Sequence, residues 1–317
     1  MYLSVFEYKP YNSDRNPIAS YIYGEFVDRD GDVVTEKFPI YKGHIFNFEP
    51  TVAYDEENGS FLVAWDVPTG DNSYTLMTRT VSLGETNSLG KVRTVFDDDS
   101  IEMVQYPDLC YGKDGKFLLS WRHTSSSLHG KIIDSSTESD NDSFEICSGK
   151  LKPSHPSIAY SPVDEVFLLA WDYNSDTEKA IGARTVKLSG ELSDSINIGD
   201  EWCSFSNVSL NNTNNRFLIT YQNYATNPIV IKGQYVKLNS ELEPEKVNNE
   251  IDISPEEDYY YAIYPASYSD GKGKMLSAWT STIFEDYIYN LMLQYIDEEG
   301  NYIGNAFSAN NMMKATF

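Results

Sequence analysis

The chain has 317 residues, with 48 acidic against 24 basic and a formal net charge of −24 at pH 7. Such a surface repels nucleic acid and anionic membranes, and no basic stripe offsets it. Its three cysteines, Cys110, Cys147 and Cys203, are too few for a disulfide framework and read as small apolar residues, and no apolar run is long enough to span a bilayer as a helix.

Taken from the N-terminus, Tyr2-Leu3-Ser4-Val5-Phe6 reads as a strand and Tyr23-Gly24-Glu25-Phe26-Val27 as a second. The run FLVAW from Phe61 then begins a pattern that returns as FLLSW from Phe117, FLLAW from Phe167, FLITY from Phe217 and MLSAW from Met275. Its closing aromatics are Trp65, Trp121, Trp171, Tyr221 and Trp279. A repeat of roughly 50 residues signals a solenoid, a propeller or an array. Ahead of each run lies a shorter one: Pro50 to Tyr54, Pro107 to Tyr111, Pro156 to Tyr160, Ser206 to Leu210 and Tyr264 to Tyr268. Behind each comes another strand-like run: LMTRTV from Leu76, HGKII from His129, IGARTV from Ile181, KGQYV from Lys232 and LMLQYI from Leu291. Gly and Asp cluster at the turns that follow, as in Asp28-Arg29-Asp30-Gly31, Ser189-Gly190 and Asp297-Glu298-Glu299-Gly300. These are hairpin signals.

Each unit is therefore four strands, A to D, which fits a propeller blade. FLVAW is apolar at consecutive positions, as a strand buried on both faces requires. The expected fold is all-β: a six-bladed β-propeller of four-stranded antiparallel blades in one domain, 1–317. Blade 1 takes 2–45 with 311–317, and the others take 49–96, 106–147, 155–200, 204–254 and 260–309. Residues 312–317 supply the strand that the N-terminal blade lacks, and so close the ring and remove its open edges.

The repeat resembles one found in bacterial exported and cell-surface β-propeller proteins: Pro-x-hydrophobic-Ala-Tyr, a turn, aromatic-Leu-Val-x-Trp, a polar loop, then Ile-x-Gly-Ala-Arg-x-Val. The closest copy is PSIAYSPVDEVFLLAWDY from Pro156, followed by IGARTVKLSGEL from Ile181. The resemblance covers nearly the whole chain and implies the propeller fold, mostly without assigned chemistry. It also favours an extracellular or cell-surface location over a cytoplasmic one, although no signal peptide stands at Met1.

Function is expected on the face that carries the D-to-A and B-to-C loops, as rigid scaffolds generally display it on loops. The ligand-binding candidates there are Asp66, Arg122, His123, Asp172, Tyr173, Tyr224 and Tyr287, aromatics interleaved with planar polar groups as in sugar sites. The closing aromatics are expected in the core. The polar residues after them, Glu7, Asp66, Arg122, Asp172, Gln222 and Thr280, are expected to be more exposed. These observations favour a non-catalytic recognition module that binds carbohydrate or a surface protein, with no nucleic acid and no membrane insertion. The alternative is a glycoside hydrolase or lyase that uses channel-mouth carboxylates, Glu49, Asp108 and Glu201, with Asp258 placed similarly.

No metal is implied by His44, His123 and His155, which share no ligand spacing. Asp28-Arg29-Asp30-Gly31-Asp32 opens like a calcium loop but lacks the downstream acid, so it reads as an acidic glycine turn. No phosphate loop, nucleophile elbow or zinc-protease motif is present, and no cofactor follows from the sequence. The B-to-C loops differ in length from blade to blade, which predicts one asymmetric site, or none, rather than six equivalent ones.

Overall fold

A computed structural model describes residues 1–11, 19–43, 48–69, 74–83, 88–95, 104–135, 137, 142–149, 152–174, 179–199, 202–255, 261–283 and 288–309. Sheet 1 is β1 (Tyr2–Tyr8), β2 (Tyr21–Val27) and β3 (Phe38–Tyr41). Sheet 2 is β4 (Phe48–Asp55), β5 (Ser60–Pro68) and β6 (Tyr74–Ser82), with β7 (Ser88–Leu89) and β8 (Arg93–Thr94) both pairing with β6. Sheet 3 is β9 (Gln105–Tyr111), β10 (Lys116–Thr124), β11 (Ser127–Asp134) and β12 (Phe144–Ser148). Sheet 4 is β13 (Pro153–Ser161), β14 (Val166–Asn174), β15 (Lys179–Lys187) and β16 (Ile196–Asn197). Sheet 5 is β17 (Cys203–Asn211), β18 (Arg216–Asn223), β19 (Val230–Leu238) and β20 (Pro244–Asp252). Sheet 6 is β21 (Tyr261–Ser269), β22 (Met275–Ile283), β23 (Ile288–Ile296) and β24 (Tyr302–Ser308).

Every pairing is antiparallel between strands close in sequence, so each sheet is the up-and-down meander of a propeller blade. The chain falls into two compact units, Met1–Ser148 with sheets 1 to 3 and Gly149–Phe317 with sheets 4 to 6. The expected closing strand, 312–317, lies outside the described residues, and sheet 1 has three described strands.

The apolar runs behave as their composition requires. In β5, Phe61, Val63 and Trp65 pack with Leu3, Ile22 and Phe26 of sheet 1, while Leu62 and Ala64 face Phe117, Leu119 and Trp121 of sheet 3. In β18, Phe217, Ile219 and Tyr221 pack with Leu168 and Ala170 of sheet 4, while Leu218 joins Met275 and Trp279 of sheet 6. Period-2 alternation thus sends successive apolar residues into two different cores. All five closing aromatics are buried in these cores. Cys203 is buried, whereas Cys110 and Cys147 are only half-buried, and no disulfide joins them among the described residues.

The motif residues have structural duties. Tyr54, Tyr111 and Tyr160 each meet the phenylalanine opposite (Phe61, Phe117, Phe167), with ring centroids 4.8, 5.1 and 4.9 Å apart. Arg79 and Arg184 donate to the carbonyls of Gly90 and Ser193, which ties strand C to the chain that follows it. In sheet 6 the expected frame is off by one residue. Ala266 pairs with Ala278 as Ser157 pairs with Ala170, so Pro265, not Tyr264, stands where Pro156 does. A one-residue slip reverses faces, so Tyr268 stands where Ala159 does rather than where Tyr160 does, and its side chain is 77% exposed.

Candidate functional site

Five strands, β4, β9, β13, β17 and β21, share an irregularity that the sequence did not announce. Each ladder to its strand B shifts register near its start. At each shift one non-glycine residue has positive φ: Glu49 (46°), Tyr106 (55°), His155 (46°), Phe205 (54°) and Tyr264 (55°). A bulge of this kind re-aims a side chain, and bulges concentrate beside functional sites. Glycine takes the left-handed region freely, whereas a bulky residue there costs of order 1–3 kcal/mol. Four of the five are followed by proline: Pro50, Pro107, Pro156 and Pro265.

Two positions beyond the bulge residue, side chains tie strand A to the next sheet. Thr51 donates to Asp108 across a long 3.5 Å, Ser157 accepts the Val208 amide at 3.0 Å, and Asn207 accepts the Ser267 amide at 2.8 Å. Asp108 stands in this row of inter-sheet links, so the structure gives it a tethering duty.

In Met1–Ser148 a set of carboxylates gathers around Asp66. Asp66 follows Trp65 on β5 and pairs with Phe48, directly beside the bulge residue Glu49. It is only 2% exposed, and its Oδ1 has no hydrogen-bond partner among the described residues. Burial pushes its carboxyl up to about 8, reinforced by the charge of Glu49 and, more weakly, Glu7. Glu7, the corresponding residue on β1, accepts the Ser20 hydroxyl at 2.6 Å and pairs with Lys9 at 2.9 Å. Glu49 is exposed and accepts the Tyr106 amide at 2.7 Å. A protonated, desolvated carboxylic acid beside two carboxylates divides the acid role from the base role.

In Gly149–Phe317 the equivalent acid is spent differently. Asp172, 1% exposed, accepts the amides of Phe205 and Ser206 at 2.7 and 3.2 Å, and its Oδ2 lies 3.2 Å from His155 Nδ1. It is a structural clamp rather than a free carboxyl. The ring of Tyr173 packs edge-on against Trp171, with centroids 5.6 Å apart, and Tyr224 donates to Gln222 at 3.0 Å.

The expectation that residues after the closing aromatics are exposed therefore fails for Asp66, Asp172 and Gln222, the last 1% exposed. Asp172 is covered by the amides of Phe205 and Ser206 from the next sheet. Arg122 donates to the carbonyl of Thr124, and His123 accepts from Trp121 Nε1 at 3.2 Å while stacking on His129 with centroids 3.8 Å apart. Glu201, Asp258, His44 and Tyr287 lie outside the described residues. The Asp28 turn is an Asx turn: Asp28 Oδ1 accepts the amides of Asp30 and Asp32, as Asp297 Oδ1 accepts those of Glu299 and Asn301. Among the described residues no three His, Cys, Asp or Glu side chains are grouped to hold a metal. Sequence reasoning missed Asp66 as an acid and the bulge residues Phe205 and Tyr264. The proline after Tyr264, in the frame of Pro50, Pro107 and Pro156, was the available signal.

No family model matches the chain, and no curated protein is similar to it in sequence. Solved structures are similar in fold. A protein of unknown function from Dyadobacter fermentans superposes with a TM-score of 0.59 at 14% identity, covering 89% of this chain and 87% of that one. The NanB sialidase of Streptococcus pneumoniae gives 0.58 at 11%, covering 87% and 62%. An α-L-arabinanase of Penicillium chrysogenum, solved with arabinobiose, gives 0.50 at 10%, covering 83% and 92%. At these identities the likeness shows the fold, that of the β-propeller. Two of these three neighbours are a sialidase and an arabinanase, and against them the expectation of a non-catalytic recognition module is corrected.

Proposed function

We propose that the chain is a glycoside hydrolase acting on a carbohydrate, with Asp66 as general acid and Glu49 as the partner carboxylate. The observation that carries this reading is Asp66: buried, unpartnered at Oδ1, and held protonated near neutral pH beside Glu49 and Glu7. A glycosidic oxygen leaves as an alcohol only if it receives a proton, and a carboxylic acid raised to about 8 still carries one at pH 7. Glu49, exposed and oriented by the Tyr106 amide, is the carboxylate that acts on the sugar or on water. Glu7 assists by keeping Asp66 protonated. The carbohydrate-active neighbours support the substrate class.

The same reading takes residues 1–317 as one closed ring of six blades, of the exported, cell-surface kind that the repeat resembles. The test of the activity is reducing-end release from a panel of neutral and sialylated glycans by wild type, Asp66→Asn and Glu49→Gln. Release by wild type, lost in both variants with the fold intact, is the expected result. Equal release by all three would overturn the assignment.

A further inference from the structure

We infer that His155, Phe205 and Tyr264 form a saccharide-binding ledge on the Gly149–Phe317 unit, a site separate in composition from the carboxylate group of sheets 1 to 3. The inference of a sugar as its ligand rests on the hydrolase reading.

The three residues are the bulge positions of consecutive sheets, and their rings touch in sequence. His155 and Phe205 have centroids 4.5 Å apart, and Phe205 meets Tyr264 edge-on at 5.2 Å. The row ends at a Tyr264 side chain that is 59% exposed. All three hold left-handed backbone that glycine would adopt without strain, yet each carries a large ring. Core packing does not account for a strained residue whose ring stands in solvent. The bulge sets that backbone, as it does at Glu49 and Tyr106, and it leaves the Tyr264 ring aimed outward.

The ledge is also fixed before any ligand arrives. Buried Asp172 binds the Phe205 amide and meets the His155 ring, so two of the three platforms share one anchor. Preorganised aromatic surface of this kind binds at low entropic cost. Beside Tyr264 stands the half-buried Tyr224, whose hydroxyl donates to the buried Gln222 side chain at 3.0 Å and is held in place by it. Rings to cover sugar C–H faces, with a fixed hydroxyl beside them, select a polyhydroxylated ligand. The net charge of −24 selects against an anionic one, so the ledge takes a neutral saccharide.

The test uses the full chain and short neutral oligosaccharides of the arabino-, xylo-, gluco- and manno- series, with binding read by calorimetry and by saturation-transfer NMR. One series is expected to bind, and Phe205→Ala and Tyr264→Gly are each expected to weaken it by about tenfold or more. Because the Tyr264 side chain is exposed, its variant reports even where Phe205→Ala does not fold. Asp66→Asn should lose hydrolysis while the ledge still binds. Binding that survives both ledge substitutions, or no binding of any series at millimolar ligand, overturns the ledge. Ledge-dependent binding without hydrolysis by wild type keeps the ledge and sinks the hydrolase reading instead.

Discussion

The backbone amide of Tyr106 donates to the carboxylate of Glu49 at 2.7 Å, and that bond leaves Asp66 uncommitted. In the other unit the corresponding amide, that of Phe205, is taken by Asp172, the counterpart of Asp66. Two acids at one position of the repeat thus have opposite fates. Asp172 is clamped by backbone amides, whereas Asp66 is buried with one oxygen unmatched.

The first prediction concerns stability and pH. The Asp66 carboxyl lies at about 8 in the folded chain and near the ordinary value of 3.8 when unfolded. The folded state therefore binds more protons between these values. The associated stability is complete below about 4 and is lost as pH rises toward 8, by at most ~1.4 kcal/mol per unit. Asp66→Asn, which cannot ionise, should be little different from wild type at pH 4 and progressively more stable as pH rises to about 8, where the difference levels off. Thermal melts across that range check it, and parallel curves would contradict it.

His129 should act with the opposite sign. Burial, helped by the His123 ring stacked on it and opposed by Glu145, lowers its pKa from 6.5 to about 4. The unfolded chain then binds the extra proton, so stability is complete above about 6.5 and is lost as pH falls toward 4. His129→Gln should flatten the acid limb of the melting curve. An unchanged acid limb would show that the pair does not set it.

Tyr264→Gly should stabilise the fold while removing ligand binding. Relief of a left-handed tyrosine whose side chain is mostly exposed is worth of order 1 kcal/mol. A chemical denaturation series measures it, and a loss of stability would mean that the ring is held by packing.

Gly182 faces the indole of Trp171, and a Cβ built there would stand 2.6 Å from the ring. Gly182→Ala should therefore cost about 1–3 kcal/mol by overpacking, detectable as a lower urea midpoint. Gly31, where an added Cβ meets nothing, makes a poor comparison because its φ is +91°.

The sheets were legible because the signals that build them are local. FLVAW tells of a strand buried on both faces, and β5 sends Trp65 and Ala64 into separate cores as that pattern requires. The Gly and Asp turns were likewise legible, since Asx turns satisfy their own backbone. The site was less so. Exposure after Trp171 was misjudged because the amides that clamp Asp172 come from strand A of the next sheet, 33 and 34 residues on. The bulges were missed for a related reason: φ at Tyr264 is set by the ladder to β22 and by Pro265, not by tyrosine's own preference. Glu49 was named from its place at or just before strand A; its link to the Tyr106 amide was invisible without pairing.

The central claim is that Asp66 donates a proton to a leaving sugar. The most direct measurement is the pH dependence of kcat/KM for oligosaccharide hydrolysis, wild type against Asp66→Asn. The account predicts wild-type activity that falls above about pH 8, as Asp66 loses its proton, and a loss of about 100-fold or more in the variant at pH 7. A variant with wild-type rates, or a profile flat through pH 8, would contradict it.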